Sequence, residues 1–294
     1  MSFSGDVKRE LAKQFKKSRH CQLAELAGML EMTGSVQGNP LLLQLDSENQ
    51  ALVQKYALLM KQAFALDIEK PIEMENTIRI LKELKWYEEE EAKKLPLQQR
   101  CVNEALLKRE CCRRAFIRGA FLAAGSMSDP EKSYHFEVSC KTREQAMQLQ
   151  RLMCDFGTDA KWIERKGHYV VYLKEGSQIV DMLNVMEAHV SLMNLENVRI
   201  MKDMRNSINR RVNCDTANIN KTANAAVKQL ADIRKIQKMK GLDDLPRNLR
   251  EMAYLRLENP EATLKELGEM AEPPVGKSGV NHRLRKLGEI ADTL

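Results

Sequence analysis

The sequence contains no long apolar run, because charged residues interrupt every hydrophobic stretch within a few positions. None reaches the roughly 20 residues that span a bilayer. The first ten residues also lack the apolar core of a secretory signal. We therefore expect a cytoplasmic protein without membrane segments. Its 43% hydrophobic and 30% charged residues are typical of a globular chain, and 294 residues suggest two domains.

The seven cysteines include no CxxC pair, and no Cys/His set has zinc-finger spacing. The five histidines do not cluster in the sequence. The adjacent Cys111 and Cys112 leave open a strained vicinal disulfide, but we expect buried thiols in a reducing compartment. The sequence therefore predicts no metal, no cofactor and no catalytic nucleophile.

The positive charge is concentrated in the last third of the chain. Residues 1–198 carry 28 basic and 28 acidic residues, whereas residues 199–294 carry 19 basic and 13 acidic ones. The whole net charge of +6 therefore belongs to the last third. Such asymmetry favours a polyanionic partner, nucleic acid first, although a solvated basic segment is the plain alternative.

The sequence contains an internal repeat. Residues 21–35 and 112–126 share a cysteine, an alanine, two glycines and a serine at a constant offset of 91 positions. Each copy predicts a helix that ends at a glycine. A glycine inside a helix costs about 1 kcal/mol relative to alanine. We therefore expect Gly28 and Gly119 to be interface glycines that let the two helices pack closely.

The segments after each repeat helix alternate between strand and helix patterns. We predict strands at residues 41–45, 77–81, 134–138 and 169–173, and helices at residues 49–64 and 143–156. The predicted fold class is α+β, with two tandem pseudo-symmetric αββαββα halves. They would form one domain over residues 1–191, with halves at about 1–100 and 101–191.

This duplicated helix ending in glycine resembles the scaffold of the LAGLIDADG homing endonucleases. In that family, an acid at the eighth position of each copy binds the catalytic metal. The corresponding residues here are Thr33 and Ala124. These degenerate former metal positions lack the hard oxygen ligands that Mg²⁺ needs, so the resemblance implies a scaffold without nuclease activity.

Three motifs together resemble the WhiA family, whose members join such a degenerate scaffold to a helix-turn-helix domain. They are Ser2-Phe3-Ser4 with Val7-Lys8 and Glu10-Leu11, the run at residues 211–218, and the run at residues 273–284. WhiA proteins are bacterial regulators of sporulation and cell division. The resemblance implies double-stranded DNA as a partner and leaves open a second transcription regulator, such as the iron–sulfur regulator of actinobacterial members.

The last third predicts an all-α helix-turn-helix domain at residues 217–294, joined by a helical linker at residues 192–216. Thr263 to Glu266 reads as a capping box that opens a short helix. Ser278 is the predicted N-cap of a last helix over residues 279–292. The pattern resembles region 4 of bacterial sigma factors, except that the 12 positions from Gly268 to Val280 exceed that motif's usual spacing by roughly two.

The predicted outward face of the last helix holds the residue types that read DNA. We predict base or phosphate contact at the N-terminal end, by Lys277, Ser278, Asn281 and His282. We predict base reading by Arg283, and phosphate contact or solvation for Arg285 and Lys286. The plain alternative is a solvated amphipathic helix. The DNA-binding candidates are Lys277, Ser278, Asn281, His282, Arg283, Arg285 and Lys286.

These patterns together predict a sequence-specific DNA-binding transcription regulator, active on genes of cell division, chromosome segregation or sporulation. It would be cytoplasmic, nucleoid-associated and monomeric, since the internal repeat already supplies a pseudo-dimer. Two alternatives stay open: a protein-interaction scaffold with incidental DNA contact, and an active Mg²⁺-dependent homing endonuclease. A basic concave face on the first domain would draw on Lys141, Arg143, Lys161, Arg165 and Lys166.

Overall fold

The computed structural model describes residues 2–37, 42–68, 72, 74–87 and 101–294. They contain helices α1 Phe3–Lys13, α2 Arg19–Thr33, α3 Gln50–Phe64, α4 Met74–Glu83, α5 Glu110–Ala124, α6 Arg143–Cys154, α7 Gly176–Met186, α8 His189–Met239, α9 Arg247–Glu258, α10 Leu264–Met270 and α11 Lys277–Asp292. The strands are β1 Gly34–Gln37, β2 Leu42–Leu45, β3 Gly125–Met127, β4 Phe136–Cys140, β5 Lys161–Arg165 and β6 His168–Leu173.

The chain divides into two compact units, residues 1–202 and 203–294. This division falls inside the segment 192–216 that the sequence analysis predicts to be a linker. Within the described ranges, every helix is too short or too polar to cross a membrane.

The two repeat helices, α2 and α5, pack in parallel at the centre of the first unit. A Cβ built on Gly28 would lie 2.4 Å from the carbonyl oxygen of Phe116, and one on Gly119 would lie 2.1 Å from that of Glu25. Both distances are far below van der Waals contact. Gly28 and Gly119, which are equivalent in the repeat, therefore allow the backbones of the two helices to approach each other closely.

The second half of this unit has the predicted αββαββα order, from α5 to α7. Its four strands form an antiparallel sheet in the order β3-β4-β6-β5, with Val138 opposite Val171. Both valines are fully buried, under the helices that cover one face of the sheet. On the other face of the sheet, Lys161, Ile163 and Arg165 of β5 are exposed.

The described part of the first half departs from the predicted αββαββα order after α3. Strands β1 and β2 form an antiparallel pair, and Leu43 adds a single bridge to Ile72. The strand predicted at residues 77–81 is wrong, because these residues lie in helix α4. Thr77, Ile80 and Leu81 are buried on one side of it. Their spacing of three and four is that of a helix face, which the β-branched residues of the segment obscured.

Helix α8 runs unbroken for 51 residues, across the predicted boundary at residue 216 between the helical linker and the helix-turn-helix domain. No glycine or proline occurs between residues 189 and 239, so nothing in the chain stops the helix. Its first turn is capped by the Glu10 carboxylate, which accepts hydrogen bonds from the backbone N–H groups of Val190 and Ser191 at 2.8 and 2.9 Å.

Candidate nucleic-acid interface

Helices α9, α10 and α11 pack around a small apolar core in the second unit. Val280, Leu284 and Leu287 of α11 are buried in it. The predicted capping box at the start of α10 is confirmed. The Thr263 hydroxyl accepts from the backbone N–H of Glu266 at 3.3 Å, and the Glu266 carboxylate accepts from that of Thr263 at 2.6 Å. These reciprocal hydrogen bonds fix the point where α10 begins.

The turn between α10 and α11 depends on one glycine. The backbone N–H of Val275 donates to the Gly268 carbonyl at 2.8 Å. A Cβ built on Gly268 would lie only 2.0 Å from the carbonyl oxygen of Val275. The turn, residues 271–276, therefore folds back onto α10 at a position that only glycine can occupy. This contact accommodates the roughly two extra residues that separate Gly268 from Val280, relative to the usual helix-turn-helix spacing.

Helix α11 presents a polar side to solvent, on the face away from the core. Six of the seven DNA-binding candidates are exposed there: Lys277, Ser278, Asn281, His282, Arg285 and Lys286. The prediction that Ser278 caps the helix is wrong. The helix already begins at Lys277, and Gly276, in extended conformation, is its N-cap. Ser278 lies instead in the exposed first turn, where free backbone N–H groups favour anions.

Arg283 does not lie on the outward face, contrary to the expectation. Its side chain is only 18% exposed, and its Nη1 lies 3.6 Å from a carboxylate oxygen of Glu251 in α9. The same Glu251 carboxylate accepts a hydrogen bond from the backbone N–H of Glu272. Arg283 therefore ties α11 to α9 and to the end of α10. Position 283 lies three residues after Val280 and four before Leu287, so the helix period places its side chain at the edge of the buried face, toward α9.

A basic groove lies beside the N-terminal end of α11. It has a volume of about 470 Å³ and carries no acidic side chain among its lining residues. Lys221 of α8, Lys265 of α10, and Lys277 and Asn281 of α11 line it. Lys221 and Lys265 lie outside α11 and are not among the DNA-binding residues predicted from the sequence. Only the packing of three helices brings these ammonium groups to one groove.

Arg256 forms the floor of this basic groove and is 2% exposed. Its Nη1 donates to the Ala262 carbonyl at 2.7 Å, and burial lowers its pKa from the ordinary value. Arg256 therefore holds the loop before α10 in place, which leaves the three lysines as the cations that a phosphate group would reach.

The basic residues considered for the first unit do not share one face. Lys161 and Arg165 of β5 are exposed on the open side of the sheet, next to Ile163. Arg143 instead lies over the Trp162 ring, 5.4 Å from its centroid, and Trp162 points to the opposite side of β5. Lys141 is half-buried and Lys166 lies in the β5–β6 turn.

The former metal positions lie at the C-terminal ends of α2 and α5. The Thr33 hydroxyl donates back to the Met29 carbonyl at 3.0 Å, and Ala124 has no ligand atom in its side chain. The nearest acid in sequence, Glu31, is fully buried, and one oxygen accepts from the backbone N–H of Val102 at 3.0 Å. Burial raises the pKa of Glu31 to about 8.

The opposite ends of these helices carry a cluster that the sequence analysis did not predict. His20, Cys21, Cys111 and Cys112 place their candidate ligand atoms within 4.8 Å of one another. Burial raises the pKa of the Cys21 thiol to about 12, with a further contribution from Cys111. The absence of a metal site therefore stays a prediction, but the fold brings together four potential ligands that the sequence does not place near one another. No spacing rule finds this set, because 90 residues separate its two halves.

Comparison with known proteins agrees with this division into two parts. The family model of the WhiA LAGLIDADG-like domain matches residues 113–205, and that of the WhiA C-terminal HTH domain matches residues 208–291. "Probable cell division protein WhiA" of Lachnoclostridium phytofermentans is 50% identical, covering 100% of this chain and 99% of the relative. The protein of the same name from Alkaliphilus oremlandii is 48% identical, over 100% and 98%.

A solved structure has the same fold over the whole length. The crystal structure of full-length DUF199/WhiA from Thermatoga maritima is 25% identical, has a TM-score of 0.58, and covers 100% of this chain and 99% of its own. The α+β scaffold with a duplicated helix, the helix-turn-helix domain that follows it, and full-length identities of up to 50% lead to one conclusion: this chain belongs to the WhiA family.

Proposed function

We propose that this chain is a sequence-specific DNA-binding transcription regulator of genes for cell division, chromosome segregation or sporulation. The observation that carries the proposal is the exposed polar side of α11 beside the basic groove. Asn281 and His282 are exposed one turn into the helix, where a recognition helix meets base edges. Lys221, Lys265 and Lys277 supply cations for the adjoining phosphates.

The biological role rests on the relatives. Proteins 48–50% identical over their full length carry the name "Probable cell division protein WhiA". A regulator of that kind would work on the nucleoid in the cytoplasm, as a monomer on DNA, with a second transcription regulator as a further partner. The first unit would act as a scaffold without nuclease activity, because Thr33 and Ala124 offer no carboxylate for a catalytic metal.

The test begins with selection of bound sequences from a random duplex library by the purified full-length chain. We expect one enriched motif and affinity for it about 10³-fold or more above that for random duplex at the same salt concentration. Asn281→Ala should weaken binding to the motif by about 1–3 kcal/mol and relax preference at one position. Failure to enrich any motif, or equal affinity for motif and random duplex, would contradict the proposal.

Nuclease activity is tested separately, with supercoiled plasmid and Mg²⁺ or Mn²⁺. We expect the plasmid to remain intact. Sustained nicking that EDTA abolishes would identify the chain as an active endonuclease instead, provided that the purified Asn281→Ala variant shows the same nicking.

A protein-interaction scaffold is the second candidate for the first unit. Residues 1–198 have balanced charge, and Ile163 is 53% exposed on the open side of the sheet. Such a surface suits a protein better than it suits a polyanion. If residues 203–294 alone bound the selected motif as tightly as the full chain, the first unit would be free for this second role.

A further inference from the structure

Four potential metal ligands meet where α2 and α5 begin. His20 and Cys21 lie in the first turn of α2, and Cys111 and Cys112 lie in the first turn of α5. The Nδ1 atom of His20 is 3.2 Å from the sulfur of Cys112, 3.3 Å from that of Cys21 and 4.0 Å from that of Cys111. All four candidate ligand atoms lie within 4.8 Å of one another.

These distances are close to the edges of a zinc tetrahedron. Zinc binds cysteine sulfur at about 2.3 Å and histidine nitrogen at about 2.0 Å, which puts the ligand atoms of a tetrahedral site about 3.5–3.8 Å apart. The imidazole–sulfur distances of 3.2 to 4.0 Å bracket that range. The sulfur–sulfur distances are at most 4.8 Å, so side-chain shifts of up to about 1 Å would place all four ligand atoms around one ion.

The internal repeat supplies the four residues in equivalent pairs. His20 corresponds to Cys111 and Cys21 corresponds to Cys112, at the same offset of 91 that relates Gly28 to Gly119. Each half of the scaffold thus contributes two neighbouring side chains from the same two helix positions. The close parallel packing at the glycines brings the pairs together.

The surroundings suit a soft cation. Cys21 and Cys112 are each 3% exposed, whereas Cys111 is exposed and His20 is half-buried, so an ion can enter from one side. Both helices direct their N-terminal ends at the cluster, which favours thiolates. A bound cation would displace the thiol protons that burial retains in the metal-free cluster. Three thiolates and an imidazole are ligands that zinc prefers.

We propose that His20, Cys21, Cys111 and Cys112 bind one Zn²⁺ ion in a closed tetrahedral site that joins the two repeats. Four protein ligands leave no open position for water or substrate, so the ion is structural. It sits at the end of the helix pair opposite Thr33 and Ala124 and fastens α2 to α5 there. The proposal is independent of DNA binding.

The first experiment measures metal in the full-length chain, purified in reducing buffer from cells grown with added zinc. We expect one zinc per chain, released when a mercurial reagent blocks the thiols. After removal of the zinc, titration with Co²⁺ should give the visible bands of tetrahedral cobalt and thiolate-to-cobalt charge-transfer bands. A chain with no zinc and no such bands in excess Co²⁺ would overturn the proposal.

The second experiment uses Cys111→Ser, because this side chain is exposed and its replacement disturbs little packing. We expect zinc affinity to fall by at least about 100-fold. Loss of a ligand should exceed the 10- to 100-fold effect of losing a residue that only hydrogen-bonds to a ligand. The matched control is Cys214→Ser, an exposed thiol in α8 outside the cluster, which should keep one zinc. Equal zinc affinity in Cys111→Ser and the parent chain would refute the assigned ligands.

A structural ion also predicts a difference in thermal stability. A chelator should lower the melting temperature of the parent and of Cys214→Ser, and leave that of Cys111→Ser nearly unchanged. Mass spectrometry of the zinc-grown protein should find the cluster cysteines as thiols. A disulfide joining Cys112 to Cys21 or Cys111 in that protein would show that the cluster is a redox pair, and would overturn the zinc site.

Discussion

Arg118 and Glu25 form a bidentate ion pair across the two repeat helices, where both side chains are almost fully buried. The Nε and Nη2 atoms of Arg118 donate to the two carboxylate oxygens of Glu25 at 2.9 and 3.0 Å. Lys55 adds a second cation 3.3 Å from Glu25, and Glu187 adds a second carboxylate 3.2 Å from Arg118. Burial alone would lower the pKa of Arg118, but these carboxylates raise it, so the guanidinium stays charged.

Removal of the arginine would leave this buried network unbalanced. We expect Arg118→Leu to lower the free energy of unfolding by about 3–5 kcal/mol, because the Glu25 carboxylate would lose its main partner in a dry environment. Urea unfolding followed by circular dichroism measures the change. The control Arg165→Leu, on the exposed side of β5, should change stability by less than about 0.5 kcal/mol. Similar stabilities for both variants would contradict the role assigned to the pair.

Gly119→Ala should destabilise the helix pair. The added methyl group would lie 2.1 Å from the Glu25 carbonyl oxygen, so the helices must move apart. We expect a net loss of about 1–3 kcal/mol, even though alanine is the better helix former. The matched control is Gly288→Ala in α11, where the methyl group meets only a flexible Asp232 oxygen at 3.3 Å. That variant should be neutral or stabilised by up to about 1 kcal/mol, as measured for both variants by urea unfolding followed by circular dichroism.

Glu31 should make stability depend on pH. Its pKa in the folded chain is raised by burial from 4.5 to about 8, so the folded state holds this proton more tightly than the unfolded state. The stabilisation is complete below about pH 4.5 and is lost as the pH rises to about 8. We expect Glu31→Gln to remove a pH-dependent loss of stability on the order of 5 kcal/mol across this window, since glutamine keeps the acceptor for the Val102 N–H group.

The measurement for Glu31 is the free energy of unfolding of parent and Glu31→Gln at a series of pH values. The two curves should run closer together below pH 5 and separate toward pH 8, where the variant is the more stable. Parallel curves over the whole range would mean that Glu31 does not carry this proton.

Lys221 and Lys265 should act on DNA affinity through phosphates. Each alanine variant should weaken binding to all sequences about equally and reduce the slope of log affinity against log salt by about 1. Arg283→Ala should leave that slope unchanged, because Arg283 pairs with Glu251 within the protein. Fluorescence anisotropy at several salt concentrations checks all three. A reduced slope for Arg283→Ala would place this arginine on DNA after all.

The sequence by itself determined the local structure and the duplication. The offset of 91 positions predicted the paired helices, because the similarity of two segments is visible in the sequence itself. Thr263 with Glu266 predicted the start of α10, because a capping box spans only four neighbouring residues. The row Val280, Leu284 and Leu287 likewise predicted which side of α11 is buried. The absence of breakers between residues 189 and 239 also encodes one long helix, although the polar segment near residue 216 obscured it.

Only the tertiary structure decided what distant residues do together. Arg283 is withdrawn from the surface by Glu251 of another helix. The groove lined by Lys221 and Lys265 and the cluster around His20 combine side chains from separate helices. No short window of sequence contains such contacts, because packing geometry sets the distances between chain segments far apart in sequence.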